Sequence, residues 1–347
     1  MIDYAVPPIA SSPGQVAHRI PTLYGAVGLL DDPFPRDPQA GAYVPLARQT
    51  TVLAGIRVWL GSTGAGSAGL AVVAGEAGSG KTRLLEQLVL AIADDDRLIG
   101  VVPDDGARRT DAHLLRSAIV SLGGTPGGRT GLELTNELRG ILAGHREDSL
   151  PPVLLIDNAA LTGSQLEILR GVLTAPGVGP EPTRVQIVLF GPPALPDRIA
   201  RRRALAEMTT HVATMPPLDA SEARTLLEGR VDAVRDLAVR EANAEPFVTD
   251  GALNILLEVS GGMAGSLLTL AQAAVREAIA TGRQRIETMT AEAVTEMLPA
   301  QGGAAHQAKD IHSREREPVI QTRLSLPGVD VAETGALATV RRRGRQR

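Results

Sequence analysis

The chain has 347 residues, of which 44% are hydrophobic and 21% charged, with a formal net charge of −4. That length allows one large domain or two to three smaller ones, and that balance excludes disorder along the whole chain. With no Cys there are no disulfides, zinc-thiolate sites or iron–sulfur clusters, and 2% aromatic residues argue against base stacking as the main binding mode.

Residues 1–45 are rich in Pro and lack periodicity. Asp31-Asp32-Pro33-Phe34-Pro35-Arg36-Asp37-Pro38 is not helical, because each Pro removes a donor and restricts its neighbour. The expectation is an irregular N-terminal arm. Over about Leu46–Leu60, residues Leu46, Leu53, Ile56 and Leu60 recur near one helical face. Gly61–Ser67 reads as a loop.

An alternation follows. Strands are expected at Leu70–Ala74, Arg97–Val102, Val153–Ile156, Val185–Phe190 and His211–Met215. Helices are expected at Lys81–Ala93, Ala112–Leu122, Leu132–His145 and Gln165–Leu173. Continuously apolar strands separated by helices predict an α/β fold, a parallel sheet sandwiched by helices. After Pro216-Pro217 only helical patterns remain, at Ser221–Ala238, Asp250–Val259, Gly265–Ala280 and Thr290–Met297. The organisation read from these shifts is an arm (1–45), a sheet domain (46–216), a small all-helical domain (217–298) and a disordered, Arg-rich tail (299–347).

One motif carries chemistry. Gly75-Glu76-Ala77-Gly78-Ser79-Gly80-Lys81-Thr82 fits G-x-x-x-x-G-K-[ST] at each fixed position, between a strand ending at Ala74 and a helix opening at Lys81. Glycines let the backbone curl so that successive N–H groups face phosphate oxygens, and the helix N-terminus adds a positive dipole end. Lys81 is expected on the β- and γ-phosphates and the Thr82 hydroxyl on Mg²⁺. Only Lys81 and Lys309 are lysines in a chain that otherwise uses Arg, which argues against a turn that binds nothing. Val153-Leu154-Leu155-Ile156-Asp157 adds an acidic residue at a strand end, and Asp157 is expected to hold Mg²⁺ through water. The cofactors read here are ATP and Mg²⁺.

From about Leu23 to Ile286 the chain resembles bacterial AAA+ P-loop ATPases of the general secretion type, the ExeA/GspA family. The resemblance rests on Leu23-Tyr24-Gly25 with Asp32-Pro33-Phe34, and on Leu114-Leu115-Arg116 with Leu122-Gly123. It rests further on Gln186-Ile187-Val188-Leu189-Phe190-Gly191-Pro192-Pro193-Ala194-Leu195, on Pro217-Leu218-Asp219 with Glu222-Ala223, and on Ser260-Gly261-Gly262-Met263 with Leu267. It implies an AAA+ sheet, a helical lid, and oligomers with nucleotide at subunit interfaces.

Measured against that family, the departures fall on hydrolysis. The family's Asp-Glu-Ala-Gln is here Asp157-Asn158-Ala159-Ala160, so Asn158 stands where a Glu polarises the attacking water. An amide orients a water but does not accept its proton. The polar sensor after the fourth strand falls on Pro192, the lid Arg on Gly265, and the Arg presented to a neighbouring subunit near Met208. Arg201, Arg202 and Arg203 lie close by and are candidates for that finger. A DNA-facing patch or a solvated helix start stays open for them. Arg fingers supply rate factors of roughly 10³–10⁵.

The expectation is an AAA+ ATP-binding protein with slow or absent hydrolysis, a nucleotide-dependent assembly or regulatory subunit. It would assemble with itself or with a related active ATPase. Two alternatives stay open: an active ATPase powering assembly or secretion, and an ATP-dependent DNA-binding regulator of a transposition-like process. From Arg314 the chain carries eight Arg and four acidic residues, net +4, which leaves −8 elsewhere. That tail would contact DNA, RNA or anionic lipid, or act as a solubilising end. The N-terminus shows no basic region followed by an apolar run, and no stretch reaches the ~18 apolar residues of a membrane span. The expected location is cytoplasmic.

Overall fold

The computed structural model describes residues 23–35, 41–62, 68–104, 110–144, 150–174, 185–235 and 245–297. The Arg-rich tail and the first 22 residues lie outside the described residues. After a 3-10 helix at Leu23–Val27 comes α1 (Ala47–Ser62), then β1 (Gly69–Gly75), α2 (Lys81–Ile92) and β2 (Ile99–Val102). Helices α3 (Asp111–Ser121) and α4 (Gly131–Ala143) precede β3 (Val153–Ile156), α5 (Gly163–Leu173) and β4 (Gln186–Gly191). Helices α6 (Leu195–Ala200) and α7 (Arg203–Met208) lead into β5 (Thr209–Met215). Four helices follow: α8 (Ala220–Val234), α9 (Asp250–Ser260), α10 (Ala264–Ala280) and α11 (Thr288–Met297).

The five strands form one parallel sheet in the order β2-β3-β4-β1-β5. Side chains alternate between its faces. Leu70, Val72 and Ala74 of β1 bury in one cluster with α3, α4 and α5, beside Leu154, Ile156, Ile187 and Leu189. Ala71 and Val73 bury in the other with α1 and α2, beside Val153, Leu155, Val188 and Phe190. Both faces are therefore covered, which is why β1, β3 and β4 read as unbroken apolar runs. Edge strand β5 alternates between half-buried and exposed residues. The sequence pattern misses α6 and α7, because six-residue helices are too short to show a period.

A third cluster belongs to the helical part. Leu226, Leu227, Leu253, Leu256, Leu267, Ala271 and Val275 pack with Val27, Leu29, Phe34 and Leu46. The N-terminal stretch, without periodicity of its own, is thus fastened to the lid. Asp32 is the tie: its Oδ2 accepts from Tyr24 Oη at 2.7 Å and from Gln272 Nε2 of α10 at 3.0 Å, and its Oδ1 accepts from the Phe34 amide at 2.9 Å. Arg48 of α1 pins the connection between sheet and lid. Its guanidinium donates to the carbonyls of Pro216 and Pro217 and pairs with Glu222 on α8.

Phe34 is 1% exposed within the lid cluster. Phe34→Ala is expected to destabilise the lid by about 3–5 kcal/mol, the usual cost of emptying a buried phenyl site. A lowered urea midpoint measures it.

Candidate functional site

The site is built at the C-terminal edge of the sheet, where β1 turns into α2. Gly78 and Gly80 take left-handed backbone angles, with φ of 78° and 94°. A Cβ on Gly80 would also stand 2.9 Å from Gln49 Nε2 and push that side-chain end aside, while the left-handed angle itself favours glycine. Ser79 is buried in the turn, and its Oγ has no hydrogen-bond partner. Lys81 folds back across the loop, Nζ donating to the carbonyls of Gly75 at 2.9 Å and Glu76 at 2.7 Å. Burial pushes the Lys81 ammonium below its usual pKa, opposed by the charges of Asp157 and Glu76.

The helix ends around the loop are informative. Thr110, Thr130, Thr162, Asp219 and Thr249 cap α3, α4, α5, α8 and α9 with their side chains. Helices α6 and α7 have no such cap, and neither do α2, at Gly80, and α10, at Met263. The N-termini of α2 and α10 meet at the loop, where the Gly265 amide of α10 donates to the Gly78 carbonyl at 2.8 Å. First-turn N–H groups without a side-chain acceptor are suited to an anion.

The sheet order brings Asp157 across to α2. Its Oδ2 accepts from Thr82 Oγ1 at 2.8 Å and its Oδ1 from the Asn158 amide at 2.9 Å. Burial raises the Asp157 pKa above the carboxylate value, and the charge of Asp104 raises it further. The hydrogen bonds from Thr82 and Asn158 and the Lys81 charge oppose this. Among the described residues no group of three or more His, Asp or Glu forms a metal cluster. Thr82 and Asp157 offer two neighbouring oxygen donors, and phosphate oxygens and water would complete the sphere of a Mg²⁺ held there, as hard-cation chemistry requires. The orphaned Ser79 hydroxyl, the uncapped helix ends and the Thr82–Asp157 pair fit a nucleotide with a divalent cation.

A cavity of about 340 Å³ opens beside the loop. Its walls are Tyr43, Val44, Leu46 and Gln49 before and on α1; Gly78, Gly80, Lys81, Thr82, Arg83 and Glu86; Leu226 and Arg230 of α8; and Ala264, Gly265 and Leu268 of α10. Sheet domain, lid and N-terminal segment each contribute a wall, and the size suits a small-molecule ligand. Val44, Leu46, Leu226 and Leu268 give it an apolar side for a flat ring system. Arg83 stacks over Tyr43 at 5.5 Å and pairs with Glu86 at 2.8 Å. The sequence pattern puts Tyr43 and Val44 in the arm and Leu46 at the start of the first helix; the apolar Val44 just before that helix is the available signal for the wall.

The positions of the departures are also defined. Asn158 is exposed, has φ of 44°, and donates from Nδ2 to Asp104 Oδ2 at 2.7 Å. Asp104, two residues beyond β2, was not singled out from sequence. Pro192 follows β4, its carbonyl accepting from the Leu195 amide. A Cβ on Gly265 would lie 3.2 Å from Gly78 Cα, so in this lid position an Arg there displaces α10 from the loop. Met208 packs against the core on the α3–α5 face. Arg202 donates to the Arg198 carbonyl at 2.9 Å and lies 3.9 Å from Glu167, whereas Arg203 is exposed and pairs with Glu207 at 2.9 Å. Arg201, also exposed, caps α6. The three Arg thus sit around α6 and α7, facing Glu167, Glu207 or solvent.

Residues 64–199 match the family model of an AAA domain. The described residues have the fold of AAA+ P-loop proteins, a parallel sheet followed by a C-terminal helical domain, and are similar to solved Cdc6 and ORC structures. Cdc6p from Pyrobaculum aerophilum is 19% identical, with a TM-score of 0.61 over 78% of this chain and 71% of that one. The ORC2 protein of Aeropyrum pernix is 16% identical, with a TM-score of 0.61 over 78% and 72%. Drosophila ORC bound to DNA is 14% identical, with a TM-score of 0.58 over 87% and 73%. No curated protein matches the sequence. Among the described residues no helix is long and apolar enough to cross a membrane.

A carboxyl whose folded pKa is raised costs stability once it must ionise. For Asp157 that loss begins near pH 3.8, where the unfolded group ionises, and is complete above the raised folded value. Asp157→Asn without nucleotide is therefore expected to melt higher than the parent at pH 7 and at the same temperature at pH 3, read by thermal unfolding at both pH values.

Proposed function

We propose that the chain binds Mg-ATP between sheet domain and lid and uses it mainly as a conformational ligand, with slow turnover. Gly75–Thr82 would cradle the phosphates, with Lys81 exchanging its two carbonyl partners for phosphate oxygens. Thr82 and Asp157 would hold Mg²⁺. The base would enter the cavity walled by Val44, Leu46, Leu226 and Leu268. The observation that carries the reading is the direct Gly265–Gly78 backbone contact, which puts the lid on the loop that would hold the phosphates. A ligand that changes this contact biases the lid by its differential affinity for the two lid positions.

Slow turnover rests on Asn158, Pro192 and Gly265, which lack the acid, the polar sensor side chain and the cation expected at those positions, and on the half-buried Met208, near which the finger Arg is expected. Within this proposal the division is a sheet domain over 46–216 and a lid over 217–298, and the finer kinship is with ExeA/GspA-type ATPases. Arg201, Arg202 and Arg203 would serve a neighbouring subunit, either a second copy or an active relative, in the cytoplasm. The likeness to an ORC bound to DNA is one of fold. DNA binding by this chain would rest on the Arg-rich tail and would weaken steeply with salt.

The test is incubation with Mg-ATP, removal of free nucleotide, and chromatography of what stays bound, with Lys81→Ala as control. Retained nucleotide that is mostly ATP, and absent from the variant, is the expected result. Lys81-dependent phosphate release at about 1–100 s⁻¹, the ordinary range for such chemistry, would restore the motor reading.

A further inference from the structure

The carboxylate missing from position 158 stands one hydrogen bond away. Asn158 Nδ2 donates to Asp104 Oδ2 at 2.7 Å. Three contacts run from the phosphate loop to that carboxylate: Thr82 Oγ1 to Asp157 at 2.8 Å, the Asn158 amide to Asp157 at 2.9 Å, and Asn158 to Asp104. Strands β2 and β3 are neighbours in register, Val102 opposite Ile156, so residues just past each end face one another. Relative to the usual arrangement the acid has moved from the end of β3 to the end of β2, and an amide occupies its former place.

We infer that Asp104 is the general base for the water that attacks the γ-phosphate, and that Asn158 is its positioning residue. The inference rests on the Mg-ATP reading above. Asn158 takes a backbone conformation with φ of 44°, which Asn adopts more readily than most residues. One donor of its amide fixes Asp104, and the other amide atoms are suited to orient the water. In the step, the water oxygen bonds to the γ-phosphorus as the β–γ bridging P–O bond breaks. One water proton passes to Asp104 and then to solvent, and ADP and inorganic phosphate leave. A base held through an intervening amide would give turnover that is slow and not zero. Asp104 is exposed, so its substitution spares the core.

The experiment pairs single-turnover ATP cleavage over hours with equilibrium binding of a fluorescent ATP analogue, in the full chain. Asp104→Asn is expected to bind the analogue within about 2-fold of the parent and to cleave at least about 100-fold more slowly, the lower end of what a positioned base contributes. The exchange Asp104→Asn with Asn158→Glu is expected to recover cleavage. Asn158→Ala is expected to lower cleavage while binding is kept, and Asn158→Gln to restore part of it. Parent-level cleavage by Asp104→Asn overturns the assignment, as does a parent chain that retains ATP and never cleaves it. Loss of analogue binding by the parent itself overturns the Mg-ATP reading instead.

Discussion

The turn between β1 and α2 sets the terms for everything around it. To leave a buried strand and enter a helix in five residues, the backbone passes through left-handed angles at Gly78 and Gly80. That path leaves the first N–H groups of α2 uncapped and the Ser79 hydroxyl without a partner. Polar groups in that state cost free energy until something accepts from them. A phosphate group is the acceptor whose charge matches the Lys81 ammonium and the helix end. The same narrow turn lets α10 approach closely enough for a backbone bond between lid and loop.

Sheet order does the remaining assembly. With β4 between β3 and β1, the end of β3 lies one strand away from the loop, and Thr82 bridges the gap to Asp157. With β2 outside β3, Asp104 joins the same line of contacts through Asn158. Residues 75 positions apart therefore share a hydrogen bond. The lid is held from two further directions. Arg48 clamps the Pro216–Pro217 connection, and Asp32 fastens the N-terminal segment onto α10. The cavity has three walls because three separately anchored pieces of chain meet there.

Most of this was legible from sequence, for identifiable reasons. Apolar runs such as Val153–Ile156 announce strands buried on both faces, and Gly75–Thr82 announces its own turn because each glycine has a stereochemical task. Leu84, Leu88 and Ile92 recur on the buried side of α2, so its period is visible. What was not legible lacked a local signature. Phe34 and Leu29 sit among prolines, and only the third dimension shows them entering the lid core. Asp104 follows a four-residue strand without a motif around it; its meaning comes from Asn158, 54 residues away. Helices α6 and α7 are too short for a period, so the surroundings of Arg201, Arg202 and Arg203 came only with the structure.

The four altered positions do not have a common physical cause, and that separates binding from chemistry. At Gly265 a side chain would crowd Gly78 at 3.2 Å and push the lid back from the loop, so losing a lid cation and docking the lid closely on the loop go together. At Met208 the half-buried side chain packs against the core, and a guanidinium there would give up that apolar contact. At Pro192 the ring removes polar capacity while the carbonyl still closes the turn into α6. Only position 158 keeps a polar group in contact with an acid. On the proposed reading, affinity resides in the Lys81 ammonium and in the backbone geometry around Gly78, Gly80 and the first turn of α2, which none of these changes disturbs. Rate resides in side chains that can be exchanged one at a time. On that reading the chain would keep its nucleotide as a structural element of the lid interface, and hydrolysis would be the slower event that ends that state.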